Sequence, residues 1–270
     1  MKTLNDYSPP SDDPAEASEP QFCVRPPLVL VNGLAEQPET WFRNAPAWRR
    51  HFEVYQPNLA AFESDWLHRR IAQRLPVDVS LLVERLREFL DSFVSTPPYR
   101  FVANSMGGKI MVEFALRYPD QVERLALICP SGLDSDERLP FVEGVRVRNM
   151  NAVVESLFHD QSQVDPAVVA HYQSSLRRKK WRLGWLHLIR GTMGHFVGDR
   201  VAQIQCPTLM VVGDQDRIVD PELAIRAAVQ LPQAKLVVVP NCGHAPQLER
   251  PDYVNRLVID FMQPQDDSRN

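Results

Sequence analysis

Residues 102–110, VANSMGGKI, place one serine between an apolar run and a helical pattern. The run before Ser105 predicts a buried strand, and the apolar spacing of Gly107–Tyr118 predicts a helix. Ala103 and Gly107 stand two residues before and two after the serine, and a sharp turn that exposes a nucleophile requires small residues at both positions. Ser105 is therefore either a nucleophile at the tip of such a turn or an ordinary helix cap, which serine also favours.

Outward from this turn, short apolar runs alternate along the chain with amphipathic helical patterns. The alternation predicts an α/β fold with a mostly parallel central sheet and helices on both faces. The predicted strands are 28–31, 52–55, 101–103, 125–128, 209–212 and 236–239, and the predicted core helices are 80–94, 107–118, 222–231 and 252–262.

One segment interrupts the alternation, because residues 134–201 carry helical patterns and no convincing strand. An all-helical insertion between two core strands predicts a lid over the carboxyl edge of the sheet. Residues 1–21 are rich in Pro, Ser, Asp and Glu, and such a segment is expected to be a flexible tail. The expected organisation is the tail 1–21, a core of 22–133 and 202–263, and a helical lid at 134–201, with lid helices at 145–158, 166–175 and 181–189.

Composition excludes several classes of function. The chain has 270 residues, a net charge of -4 and 44% hydrophobic residues, which gives no reason to expect nucleic-acid binding. No apolar run approaches the roughly 20 residues that span a bilayer, and the N-terminus lacks the apolar core of a secretory signal. The cysteines fit no metal spacing and are expected to be free thiols. We therefore expect a cytoplasmic protein without metal, cofactor or membrane partner; its cysteines are Cys23, Cys129, Cys206 and Cys242.

A serine hydroxyl needs a base to take its proton and an acid to orient that base. His244 follows the last predicted strand and is the candidate base. Asp216 follows the strand 209–212 and is the candidate acid, with Asp214 as the fallback; Asp134 and Asp136, after an earlier strand, rank lower. A loop histidine or a Gly-Asp turn is also common without catalysis. The order serine, acid, histidine is nevertheless the one that this architecture uses.

An acyl-transfer site also needs two backbone N–H groups for the developing oxyanion. One follows the nucleophile, which is Met106, and the second comes from the loop after the first core strand, for which we take Leu34. Asn32 and Gly33 precede it and are candidate substrate-binding residues, although Asn-Gly is also an ordinary turn pair.

These features together resemble the α/β-hydrolase family over Pro27 to Met262, within its serine-nucleophile branch. The resemblance implies the α/β-hydrolase fold with a small-molecule substrate. The residues that carry it are Asn32-Gly33 with Trp41, the turn Ala103 to Gly108, Arg117 to Val122, Gly213 to Asp216, Cys242-Gly243-His244 and Glu249-Arg250-Pro251.

The turn at Ser105 is similar to that of the hydrolases that cleave carbon–carbon bonds in meta-cleavage products of aromatic rings. By that similarity Asn104 is a candidate substrate contact. Those enzymes place tryptophan after the triad histidine, where Ala245 stands here, and an Asp-x-Pro-Gly-x-Gly tract where residues 58–63 read NLAAFE. Their lid also carries an arginine for a substrate carboxylate, whereas the matching place here has histidine and tyrosine at 171–172, with arginines only at 177–178.

These differences favour a carboxylic-ester hydrolase that forms an acyl-enzyme at Ser105. Two alternatives stay open at this point: carbon–carbon cleavage of a dienoic acid by the same triad, and a ligand-binding protein without catalysis. The basic run 177–182 could steer an acidic substrate but more often marks a solvated helix face. The lid's apolar side chains could line the pocket or form the lid's own core; they include Trp181, Trp185, Leu186 and Phe196.

Overall fold

The structure, a computed structural model, describes residues 25–34, 41–94, 96–134 and 155–263. The expected tail 1–21, Cys23, Asp136 and the first ten residues of the predicted helix 145–158 lie outside these ranges.

The described strands form one six-stranded sheet in the order β2-β1-β3-β4-β5-β6, and every neighbouring pair is parallel. This confirms the predicted fold class. Because all the strands are parallel, their carboxyl ends share one edge, where ligands bind in such sheets. The strands are β1 Pro27–Val31, β2 Glu53–Tyr55, β3 Tyr99–Asn104, β4 Val122–Ile128, β5 Thr208–Gly213 and β6 Ala234–Val239.

Helices pack on both faces of this sheet, and alternate strand residues belong to opposite cores. In β1, Val29 and Val31 face one apolar cluster while Leu28 and Leu30 face the other. Both faces are covered, so the central strands are continuously apolar rather than alternating. The helices are α1 Ala45–Trp48, α2 Asp65–Ala72, α3 Val79–Phe93, α4 Met106–Arg117, α5 Pro166–Arg177, α6 Lys179–Thr192, α7 Pro221–Gln230, α8 Pro246–Glu249 and α9 Pro251–Met262.

Helices α5 and α6 lie in the chain between β4 and β5, and the role of the segment 134–201 as a lid stays a prediction. Each is somewhat longer than its predicted range, and no strand occurs in the part of 155–201 that the structure describes. Helix α6 packs against α2, and close approach at Gly184 and Gly191 lets it lie on the backbone at Phe62 and Val77. The inserted helices therefore rest directly on the core.

Within the described ranges, no helix combines the length and the apolar character that crossing a bilayer requires. Cys129, Cys206 and Cys242 are free thiols.

Candidate active site

Ser105 lies at a strained turn between β3 and α4. Its backbone angles are φ 51° and ψ -120°, a left-handed conformation that costs a non-glycine residue about 1–3 kcal/mol and is found mainly at functional sites. The turn is held on both sides, since the Ser105 N–H donates to Ile128 O at 3.0 Å and the Gly108 N–H donates to Ser105 O at 2.8 Å. Ser105 occupies the N-cap position of α4, yet its side chain makes no capping hydrogen bond.

The turn fits only because α4 approaches the end of β1 very closely. A Cβ atom at Gly107 would lie 2.5 Å from Val31 O and 2.9 Å from Asn32 O, both of them backbone atoms. No side chain fits there unless the strand moves. The demand for a small residue two positions after the serine therefore comes from the contact between α4 and β1.

His244 brings the serine and the acid together. Its Nε2 is 2.9 Å from Ser105 Oγ, and its Nδ1 is 2.8 Å from Asp216 Oδ2. Since a carboxylate only accepts, Nδ1–H donates to Asp216 and Nε2 is left to accept the serine proton. The side chains of His244 and Asp216 are buried, so little water competes for these hydrogen bonds.

Asp216 is fixed and ionised by its surroundings. Burial opposes its charge, but His244 and the amides of Ile218 and Val219 outweigh it and hold the pKa of the Asp216 carboxyl below its ordinary value. Oδ1 accepts the Ile218 N–H at 2.8 Å and the Val219 N–H at 3.1 Å, which leaves Oδ2 for the imidazole. Asp214, the fallback acid, instead accepts the Cys242 N–H at 3.3 Å.

The loop that carries His244 is anchored by Glu249, a residue for which sequence analysis gave no role. Glu249 is 2% exposed; its Oε1 accepts the Gly243 N–H at 2.8 Å and its Oε2 accepts the Asp160 N–H at 3.0 Å. The His244 N–H donates to Leu157 O at 2.8 Å. One buried carboxylate thus joins the histidine loop to the inserted segment.

A second such residue is Cys129, which directly follows β4. It is buried, has a positive φ of 43°, and its Sγ lies within 4.8 Å of ligand atoms of Asp216 and His244. Burial, with Asp216 nearby, raises the pKa of the Cys129 thiol well above its ordinary value, so it is a neutral neighbour of the acid. The strand 125–128 ending at a cysteine was visible in the sequence, but nothing there indicated where the thiol points.

The predicted oxyanion residues line one cavity beside the serine. Leu34 and Met106 both border it, together with Asn32 and Gly33. Met106 is the first residue of α4, so its N–H has no partner within the helix and lies at the positive end of the helix dipole. This position suits an N–H that donates a hydrogen bond to an oxygen on which negative charge develops.

Two predicted substrate-binding side chains are engaged elsewhere. The Asn104 amide is 1% exposed and donates to Ile128 O at 3.1 Å, which ties β3 to β4. Asn32 Oδ1 accepts a hydrogen bond from Trp41 Nε1, which fixes the loop after β1. Direct contact of Asn104 with a substrate stays a prediction. Asn32 and Gly33 line the cavity next to Leu34 and Met106, and their contact with a substrate also stays a prediction.

The basic run 177–182 makes local contacts. Arg178 pairs with Glu63, Lys180 pairs with Asp65, and Arg182 donates to Leu176 O. Trp181 and Trp185 are buried side by side and pack toward the core, whereas Leu186 and Phe196 are exposed. The inserted helices therefore use part of their apolar surface to contact the core.

Comparison with known proteins gives the same family. The model of the alpha/beta hydrolase fold family matches residues 26–251. The monoacylglycerol lipase ABHD6 of Mus musculus is 21% identical over 90% of this chain and 79% of its own, and the carboxylesterase YbfK of Bacillus subtilis is 24% identical over 88% and 80%. A meta-cleavage product hydrolase from Pseudomonas fluorescens IP01 superposes with a TM-score of 0.71 and 19% identity, covering 87% of this chain and 90% of that chain.

The matched range includes all six strands, the serine turn and the loops that bring Asp216 and His244 to it. This chain belongs to the α/β-hydrolase fold family and is a serine hydrolase within it.

Proposed function

We propose that the chain hydrolyses carboxylic esters through an acyl-enzyme on Ser105. The observation that carries the proposal is the placement of one imidazole, at hydrogen-bond distance from both the Ser105 hydroxyl and the Asp216 carboxylate. A serine is a poor nucleophile until such a base takes its proton.

In the first half-reaction Ser105 Oγ attacks the ester carbonyl carbon while its proton passes to His244 Nε2. Asp216 holds the imidazole in the required tautomer and stabilises the imidazolium. The oxyanion is stabilised by the N–H groups of Met106 and Leu34, a contribution of about 3–4 kcal/mol per donor in comparable sites. Collapse of the intermediate breaks the ester C–O bond, and the leaving alkoxide takes the proton from Nε2.

In the second half-reaction water replaces the alcohol. His244 Nε2 takes a proton from this water, whose oxygen attacks the acyl carbon, and the proton returns to Ser105 Oγ when the acid leaves. The same three side chains serve both halves, so no further titrating group is required.

The test is labelling with a fluorophosphonate probe, followed by intact mass and peptide mapping. We expect one label per chain, on Ser105, and Ser105→Ala should abolish both the label and the hydrolysis of p-nitrophenyl acetate. Ser131, buried close to the same sheet edge, gives a matched control, and Ser131→Ala should keep the label. Labelling that survives in Ser105→Ala would refute the assignment.

Carbon–carbon cleavage of a dienoic acid is the second candidate. The turn at Ser105 is similar to that of hydrolases of ring-fission products, and such hydrolases are among the relatives of this chain. Such substrates carry carboxylates and need a free cationic group. Of the two arginines that follow the matching place in the lid, Arg177 and Arg178, the second is already paired with Glu63. We therefore favour the ester, and turnover of a coloured ring-fission product at rates similar to those of esters would reverse that preference.

A purely ligand-binding role would leave the triad without use. Steady-state turnover of an ester over many cycles, well above the rate of Ser105→Ala, would exclude it.

A further inference from the structure

Two spaces are lined by the segment after β2, and the inner one also borders Met106, the residue that follows the proposed nucleophile. The inner cavity borders Leu34 and Met106 and measures about 20 Å³, which is room for about one water-sized group. The outer groove, between the segment after β2 and the helices α5 and α6, measures about 300 Å³. Phe62 lines both spaces, and Asn58 is the other residue they share.

The inner cavity has both polar and apolar walls. Besides the oxyanion residues, Asn58 and several apolar residues line it, among them Leu59, Leu82, Ile110 and Leu188. A carbonyl held by the N–H groups at 34 and 106 would place the first atoms of its acyl group in this cavity, whose volume of about 20 Å³ leaves no room for a long chain.

Phe62 is held in place by the segment that carries it. Ala61 adopts a positive φ of 40°, and its N–H donates to Asn58 Oδ1 at 2.8 Å, which makes a tight turn just before Phe62. His68 Nε2 donates to Phe62 O at 2.9 Å. The ring is 3% exposed and packs edge-on against Trp181, with 5.1 Å between the ring centroids.

This turn is part of residues 58–63, one of the tracts at which the sequence departs from the ring-fission hydrolases. The departure thus supplies an aromatic partition between the proposed acyl site and the outer groove. The turn and the His68 hydrogen bond hold the backbone of Phe62, and Trp181 packs against its ring, so all three oppose displacement of the side chain.

We propose that Phe62 is a specificity-determining residue that closes the inner cavity and restricts the enzyme to esters of short acyl groups, of about acetyl size. The inference rests on the proposed ester hydrolysis at Ser105. Removal of the ring joins the inner cavity to the outer groove and admits longer chains.

The experiment compares p-nitrophenyl acetate, butyrate and octanoate as substrates of the full chain. For the unaltered protein, kcat/KM should fall by about tenfold or more from acetate to octanoate, the scale by which apolar pockets discriminate methylenes. Phe62→Ala should raise the octanoate-to-acetate ratio of kcat/KM by about tenfold or more. Phe62→Leu, which keeps an apolar side chain, should raise it less.

Two matched controls separate this effect from general loosening. Leu188→Ala enlarges the inner cavity, but Leu188 does not line the outer groove, so it should improve butyrate and leave octanoate poor. Phe93→Ala removes an exposed phenylalanine ring elsewhere and should change no ratio.

The outcomes distinguish the two proposals. If the unaltered protein cleaves acetate and octanoate equally well in a Ser105-dependent way, or if Phe62→Ala keeps its acyl preference while still folded and active on acetate, the partition is wrong and ester hydrolysis stands. If Ser105 reacts with the phosphonate probe but no ester is cleaved, ester hydrolysis fails and the acyl preference fails with it.

Discussion

At the level of single residues, the His244 side chain makes two hydrogen bonds that depend on each other. Its Nδ1–H is used by Asp216, and this leaves Nε2 as an acceptor facing Ser105. The geometry depends on Asp216 having one oxygen free for the imidazole, because its other oxygen is taken by two backbone amides. The Asp216 carboxylate therefore determines which tautomer of the imidazole faces Ser105.

Replacement of Asp216 by asparagine tests this dependence. An amide of the same shape can donate to Nδ1 and so favours the wrong tautomer, and we expect kcat for p-nitrophenyl acetate to fall by about four orders of magnitude. Steady-state kinetics measures the loss, and circular dichroism checks that the fold is kept.

Asp214→Asn is the matched control, two residues away in the same loop. Its oxygen can still accept the Cys242 N–H, so we expect kcat within a few-fold of the unaltered protein. An equal loss of kcat in the two variants would mean that activity depends on the structure of the loop and not on the hydrogen bond between Asp216 and the imidazole.

At the level of secondary-structure elements, the turn from β3 to α4 is only partly predictable from the local sequence. The small residues at 103 and 107 and the apolar flanks predict the turn and its position. They do not show which backbone α4 approaches, since Val31 and Asn32 lie more than seventy residues earlier in the chain.

Gly107→Ala tests the close approach. The added methyl would lie 2.5 Å from Val31 O, and we expect the free energy of unfolding to drop by about 1–3 kcal/mol, with loss of activity because the serine turn shifts. Urea denaturation measures the first effect and ester turnover the second. Gly194→Ala, where an added Cβ meets nothing within 4 Å, should change stability by no more than about 0.5 kcal/mol. A Gly107→Ala protein as stable as that control would contradict the contact.

Glu113 joins the inserted segment to the core at the scale of the whole molecule. It lies on α4, two turns after Ser105, and its Oε1 accepts from His195 Nε2 at 2.7 Å and from Arg200 Nη2. Burial opposes its charge, but the hydrogen bonds and charges of Arg200 and His195 outweigh burial and lower the pKa of Glu113 below its ordinary value of 4.5. The chain leaving α6 is thereby attached to α4, the helix that begins directly after Ser105.

Glu113→Gln should lower the free energy of unfolding by about 1.5–3 kcal/mol at neutral pH, the usual range for a hydrogen bond to a charged group. A carboxyl with a depressed folded pKa contributes stability above its unfolded pKa and loses it as the pH falls through the folded value. The difference between variant and unaltered protein should therefore shrink as the pH falls below about 4.5.

Urea denaturation at several pH values between 3.5 and 7 checks this expectation. Glu88→Gln is the control, since Glu88 forms an exposed pair with Arg85 on α3 that is worth at most about 1 kcal/mol. A deficit in Glu113→Gln that stays constant with pH would show that the carboxylate charge is not what holds the segment.

The amino-acid sequence alone predicts the alternation of strands and helices, the sharp turn at Ser105 and the loops that carry Asp216 and His244. These features are readable because periodicity, small residues and loop position are local properties of the chain. The sequence favoured Asp216 over Asp214 as the partner of the histidine but could not exclude Asp214, because both aspartates follow the same strand within three residues.

The groups that support the site, and the size of the site, follow from contacts that exist only in the folded chain. Glu249 at the histidine loop, Cys129 beside the acid, Glu113 beneath the inserted segment and Phe62 between the two spaces are all contacts between distant parts of the chain. Such contacts depend on how loops without periodicity pack against one another. No local sequence pattern encodes that packing. In the sequence alone, these residues therefore cannot be distinguished from residues of the same types on an exposed surface.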